Sequence, residues 1–537
     1  MRITFVTMGW ENPSVEYISA YLKAEGHEVA LAYEQSLFDD KNYLCIPWLA
    51  RLFDQGSNLL HQIVASRPEV VAFSVMAINY RWGIRRAAEV KALLDVPIIF
   101  GGYHAITCPD VIIAKPPVDA VCLNEGELAM ADLLRRLDEG VWDTTIPGLW
   151  FKDKAGTIIK NPRRPVIADL DAMPLPDKEL YAPVIPIRNY YLAVTNRGCP
   201  YNCTYCSVST VSDLERDVPG FKKVRERSVD SVLQELRLNK DRYNFKWVDF
   251  RNAVFSYTPS WVLEFCSRYP REIGLPFRIF SHPLLIREDL CIALRDAGCF
   301  GVQMGLESYD PTVRNEVLNR HETNAQIDRA IQIMERVGIH YSLDYILGLP
   351  GQTEAELQRA AAMFANLRYL YRISPFMLSY LPRTRIIDQA VAAGILKEEE
   401  NRDIDEGLHG NYMDEGSPME RRRRRMFQAY KLLFRSMSFM PVWLRRAFYH
   451  SRAYVIFYVI PFDFILRLFD LSMVFRDRDA RAYALNYGWW FRKRFDPVSP
   501  NYWRKRFKVG SSQADALLRQ ATGEMPHQGA SPAREIG

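Results

Sequence analysis

The chain has 537 residues, 48% hydrophobic and 25% charged, which excludes a disordered or fibrous polypeptide and provides for two to four globular domains. Lys and Arg number 69 against 64 Asp and Glu, and a net charge of +5 argues against a protein built to coat nucleic acid. The charge is uneven, because Pro418 to Gly510 holds 21 basic and 6 acidic residues with 23 of the 67 aromatics, a net of +15 that leaves −10 elsewhere.

The N-terminus, Met1-Arg-Ile-Thr-Phe-Val-Thr7, reads as a strand without an apolar leader, so no secretory signal is expected. Nine cysteines, an odd number, do not read as a disulfide framework and suit a reducing, cytoplasmic compartment. Strand signals at Ile3 to Thr7, Glu28 to Ala32, Val70 to Ser74 and Ile98 to Phe100 alternate with helical patterns at Ser14 to Ala24, Arg81 to Leu94 and Glu127 to Leu137. This alternation predicts an α/β fold with a doubly wound, Rossmann-like parallel sheet over residues 1–145. Such a sheet binds ligands beyond the carboxyl ends of its strands, which here carry Gly9, Ser74, Gly101-Gly102 and Asn124-Glu125-Gly126-Glu127. The glycines also suit plain turns.

Six prolines between Asn161 and Asn189 predict an extended connection, within a linker spanning 146–189. A second alternation follows, with strands near Leu192 to Thr195, Trp247 to Phe250, Arg278 to Phe280, Val302 to Leu306, Tyr341 to Leu347 and Ser374 to Tyr380. Helical patterns separate them, and the series predicts a partial (β/α)6 barrel over 190–393 with its site at the strand C-termini. Residues 394–510 read as a basic, aromatic, mainly helical extension, and 511–537 as a disordered tail.

The densest chemistry is Thr195-Asn-Arg-Gly-Cys-Pro-Tyr-Asn-Cys-Thr-Tyr-Cys206, where Cys199, Cys203 and Cys206 follow the first barrel strand. Three thiolates in eight residues can wrap one soft metal centre. A zinc site would want a fourth ligand, yet the next cysteine is Cys266 and the next histidine His282. A 4Fe-4S cluster takes four ligands, so three cysteines leave one iron open. The other six cysteines fall singly in or beside apolar segments and read as ordinary small residues.

At these residues the sequence resembles the radical S-adenosylmethionine (SAM) superfamily, whose loop is C-x3-C-x-aromatic-C, with Tyr205 in the aromatic slot. Gly305-Leu-Glu-Ser308, Ile346-Leu-Gly-Leu-Pro-Gly-Gln-Thr353 and Arg225 to Glu235 resemble its SAM-contacting segments. With the N-terminal sheet, the likeness is to the cobalamin-binding branch over roughly Met1 to Ala393. The resemblance implies that Cys199, Cys203 and Cys206 ligate a 4Fe-4S cluster whose open iron chelates SAM, giving a 5′-deoxyadenosyl radical that abstracts hydrogen from an unactivated carbon. It further implies Gly305, Glu307 and Ser308 on the ribose and methionine side, Gly348 and Pro350 on the adenine side, and cobalamin around Gly9, Ser74, Gly101 and Gly102. No D-x-H-x-x-G run offers a cobalt histidine; His104 reads as a loop histidine bonded to backbone, and Asp249, followed by Arg251, is not assigned a role.

The branch implies methylation of a carbon, with cobalamin as methyl carrier, or a non-methylating cyclisation of the magnesium-porphyrin cyclase kind. A binding protein without turnover is the third reading. A small-molecule, hydrophobic substrate and an electron donor such as flavodoxin or ferredoxin are the expected partners, without nucleic acid. In the basic extension, Trp489-Trp490-Phe491 and Tyr502-Trp503 beside Arg and Lys suit peripheral contact with an inner membrane face, or equally a helical cap whose aromatics pack on the barrel.

Overall fold

The computed structural model describes residues 1–40, 44–408, 419, 421–458, 474 and 477–496. Its first sheet has seven strands in the order Glu28–Glu34, Arg2–Met8, Val70–Ser74, Ile98–Gly101, Ala120–Cys122, Leu149–Lys152 and Ile158–Lys160. The first five are parallel and the last two antiparallel. The parallel part is therefore doubly wound with chain order 2-1-3-4-5, and its switch point lies between Arg2–Met8 and Val70–Ser74. Apolar residues on both faces require that both be covered: Ile3 and Phe5 pack into one buried cluster and Val6 into another. The sheet continues past residue 145 into the stretch expected as linker, and the remainder of that stretch runs as turns and extended chain with two single-turn 3-10 helices, Lys178–Leu180 and Ile187–Asn189.

The second sheet has six parallel strands in chain order: Tyr191–Ala193, Val248–Phe250, Phe277–Ser281, Cys299–Glu307, Tyr341–Leu347 and Leu370–Met377. First and last strands do not pair, so the barrel is open. Val302, Met304 and Leu306 point to the outer helices, leaving Gln303 on the inner face with Asp344 of the next strand, to which it donates at 2.8 Å. The last strand begins four residues before its expected start, at Leu370 rather than Ser374. Pro375, which suggests a strand boundary, is tolerated inside it because this strand is the sheet edge.

Helix Arg421–Met437 buries Phe427, Tyr430, Phe434 and Met437, spaced three and four apart, in the barrel's outer core. Helix Arg478–Phe495 places Trp490 in the core of the first sheet and Ala482 against Leu192 and Trp247 of the barrel. The described part of the basic extension is thus a cap on both modules. Tyr502, Trp503, most of the apolar stretch after Tyr458 and the 511–537 tail lie outside the described residues. Among the described residues no helix is long and apolar enough to cross a membrane.

Candidate functional site

At the carboxyl edge of the first sheet an open cleft of about 610 Å³ lies at the switch point. Gly9, Ser74 and Gly102 line it, whereas Gly101 ends its strand and does not. Asn12 and Tyr103 also line it. The Asn12 side chain donates to Ser74 Oγ at 2.9 Å and caps helix Pro13–Ala24. Gly102 has φ +91, and a Cβ there would stand 2.5 Å from the Val75 carbonyl oxygen and 2.8 Å from its nitrogen. Only glycine fits this turn without moving backbone. Gly102→Ala is therefore expected to cost about 1–3 kcal/mol of stability, measured by urea unfolding. His104 faces away from the cleft, buried against the Tyr80 ring at 4.3 Å, and burial holds its pKa down at about 4.

The cysteine loop leaves a two-stranded hairpin, Asn196–Gly198 with Val224–Glu226, and enters helix Ser207–Glu215. Gly198 is required at the exit, since a Cβ there would meet the Lys223 carbonyl oxygen at 2.0 Å. Thr204 pins the loop, its amide donating to Leu318 O at 3.1 Å and its hydroxyl to Val317 O at 2.6 Å. Cys203 is 8% exposed, with Cys199 and Cys206 partly exposed. Burial pushes all three thiols up, Cys203 to about 11. Among the described residues no three Cys, His, Asp or Glu side chains gather to hold a single ion. Three thiols spread along one loop fit a cluster, in which each serves its own iron, better than one tetrahedral zinc.

Beside this loop, Glu307 ends the fourth barrel strand with φ +63, a conformation uncommon for a residue with a side chain. Its carboxyl lies over Gly305, where a Cβ would come within 2.5 Å of Oε1. Burial pushes Glu307 up to about 7 against the pull of Arg320, 3.8 Å away, and a hydrogen bond from Tyr205. Arg320 also donates to Gly305 O at 2.7 Å and to Glu322 at 2.7 Å. Ser308 is placed differently from the expectation of a ligand contact: it is fully buried, and its hydroxyl donates to Glu356 at 2.6 Å. Gly348 and buried Pro350 shape the next loop, where Gln352 Oε1 accepts from the Gly348 amide at 2.8 Å. Met419 and Arg423 of the extension abut this loop. Asp249 is buried under Arg278 and Arg251, which donate to it at 2.8 Å each, and is committed to that pairing.

Two residues of this region stand outside every motif. Arg320 follows an irregular turn without a recognisable spacing. Tyr103 follows the Gly101-Gly102 pair, a legible hint; it lines the cleft and is 44% exposed. Its helix Tyr103–Thr107 packs on the Ser207–Glu215 helix that starts at Cys206. Glu215 is itself buried, and burial, with the charge of Glu125, pushes it up to about 7. The folded state therefore retains this proton between the unfolded value and about 7, and its contribution to stability is lost as pH rises through that window. Wild type should lose more thermal stability than Glu215→Gln between pH 5 and 8, by about 1.4 kcal/mol per pKa unit.

Residues 194–364 match the Radical SAM superfamily and residues 6–134 the B12 binding domain. The chain is 27% identical over 311 residues to an uncharacterized methyltransferase, PH0819, of Pyrococcus horikoshii, covering 56% of this chain and 64% of that one. It is 25% identical over 374 residues to the anaerobic magnesium-protoporphyrin IX monomethyl ester cyclase of Rubrivivax gelatinosus, covering 66% and 62%. The chain thus spans just under two thirds of the length of each relative. The fold is that of the cobalamin-dependent SAM radical enzyme OxsB with aqua-cobalamin bound, at a TM-score of 0.60 and 14% identity over 97% of this chain and 78% of that one. The two matched modules bring their cofactors, a 4Fe-4S cluster with SAM and a cobalamin. With a radical SAM module and a B12 binding module in one chain, the protein belongs to the cobalamin-dependent radical SAM enzymes.

Proposed function

We propose that the protein methylates an unactivated carbon of a small hydrophobic molecule. The observation that carries this reading is Tyr103, which lines the cleft while its helix packs on the helix that the cysteine loop enters, so that both cofactors would address one space. Met8, Trp10 and Met76 give that cleft an apolar side. When bound, the cluster with SAM supplies a 5′-deoxyadenosyl radical, and cobalamin supplies a methyl group. Cys199, Cys203 and Cys206 hold the cluster and leave one iron for SAM. Gly305 makes room for Glu307, which burial keeps about half protonated near pH 7, while Tyr205 and Arg320 hold it in place. Gly348 and Pro350 shape the adenine side. Gly9, Ser74 and Gly102, which line the cleft, would receive the corrin and its tail, with Gly101 outside it.

A second reading, radical cyclisation without methyl transfer, is favoured by the likeness to the magnesium-porphyrin cyclase. Anaerobic protein reconstituted with iron, sulfide and cobalamin, then given a flavodoxin or ferredoxin reductant and methyl-labelled SAM with cell extract, separates them. Methylation yields 5′-deoxyadenosine, S-adenosylhomocysteine and label in an organic-soluble product. Cyclisation yields 5′-deoxyadenosine alone, and absence of both sinks the radical reading.

A further inference from the structure

Asn124-Glu125-Gly126-Glu127, at the carboxyl edge of the first sheet, would ordinarily face the ligand, yet neither glutamate lines the cleft. Both reach across to the barrel. Arg197 donates through Nη1 to Glu125 Oε1 at 2.8 Å and through Nη2 to Glu127 Oε1 at 2.6 Å. Arg225 Nη1 donates to Glu125 Oε2 at 3.0 Å, and its Nη2 stands 2.9 Å from Glu125 Oε1. The Arg197 guanidinium also covers the Tyr17 ring at 5.1 Å. Although burial pushes the Glu125 carboxyl up, Arg197 and Arg225 bring it below its ordinary value.

Arg197 and Arg225 are directly opposite each other in the hairpin that leads into Cys199. Like charges at opposed positions of a hairpin repel, so the hairpin needs counterions. The first sheet provides them, and the fork geometry of arginine fixes direction as well as distance. The pairs are largely buried, so salt screens them weakly. A second brace stands nearby: Lys178 Nζ lies 2.7 Å from Glu11 and 2.8 Å from Glu16 of the first module and donates to Leu192 O of the first barrel strand at 2.7 Å.

We propose that Glu125 and Glu127 are positioning residues that, through Arg197 and Arg225, set the cysteine loop at one height over the cobalamin cleft, so that the two modules work as a fixed unit without a swing of the cobalamin domain. This rests on the assignment of Cys199, Cys203 and Cys206 to the cluster.

The test uses the full chain. In cofactor-free protein, Glu125→Gln/Glu127→Gln should speed amide hydrogen exchange across 196–198 and 224–226 about tenfold, with the barrel strands unchanged. In holoenzyme reduced to cob(II)alamin and the paramagnetic cluster, wild type should show dipolar broadening of the cobalt electron paramagnetic resonance signal, and the double variant should lose it while retaining iron and cobalamin. The charge exchange Arg197→Glu/Glu127→Arg should restore part of the broadening. Unchanged exchange and unchanged broadening in the double variant overturn the proposal. If that variant fails to fold or loses a cofactor, Arg197→Lys, which keeps the charge but not the fork, reads the same two signals, and wild-type behaviour there overturns it. Wild type that assembles no cluster would instead defeat the assignment of the cysteines.

Discussion

Cys203→Ala should abolish 5′-deoxyadenosine formation, by at least about 10³-fold, and lower iron content in the reconstituted protein. Cys203 is the most buried of the three thiols, and Thr204 beside it is fixed by two hydrogen bonds to the turn after the fourth barrel strand. Among the described residues no neighbouring cysteine can replace it: Cys108, Cys122, Cys266, Cys291 and Cys299 are all buried elsewhere in the fold. Chromatographic quantification of 5′-deoxyadenosine, with iron analysis on the same sample, checks it. Product at wild-type level with a full iron complement would remove Cys203 from the cluster.

Trp490→Ala should cost about 3–5 kcal/mol, the usual penalty for emptying a buried aromatic site. Trp490 is 1% exposed. It lies beside Trp10 and Tyr33 at ring separations of 6.0 and 6.2 Å, and its indole donates to Val184 O at 2.9 Å. The substitution opens a void and orphans a carbonyl at once. Trp10 lines the cleft, so cobalamin binding should weaken together with stability. Urea unfolding of cofactor-free protein measures the first effect and spectrophotometric titration the second. A loss below about 1 kcal/mol would show that the extension is dispensable to the first module.

What was legible in the chain was local. The three thiols lie within eight residues, and a glycine marks the exit of the hairpin before them. The alternation of short apolar strands with amphipathic helices is a periodic signal, and it placed most of both sheets; it missed the three-residue strand Ala120–Cys122, the two antiparallel strands after residue 145, the hairpin before the cysteine loop and the early start of the last barrel strand. The Gly-Leu-Glu-Ser segment was legible as a strand end, but not that Glu307 would adopt a left-handed backbone or that Ser308 would turn inward to Glu356. Those outcomes depend on residues from other strands and helices.

Composition alone could not tell an outward aromatic and basic face from an inward one. Trp489 and Trp490 beside Arg and Lys suit a membrane surface or a cap equally well, and the difference lies in what covers them. In the folded chain Trp490 is inside the first module, and Phe427, Tyr430 and Phe434 are inside the barrel's outer core. The sequence by itself determined the chemistry, since a three-cysteine loop and glycine turns need only neighbouring residues. Only the tertiary structure decided the arrangement of that chemistry: the Tyr103–Thr107 helix against the helix that follows the cysteine loop, Glu125 and Glu127 against Arg197 and Arg225, and a C-terminal helix closing onto the N-terminal sheet. These contacts join residues about 70 to 450 positions apart, and burial in three dimensions, which no periodicity records, selects their partners.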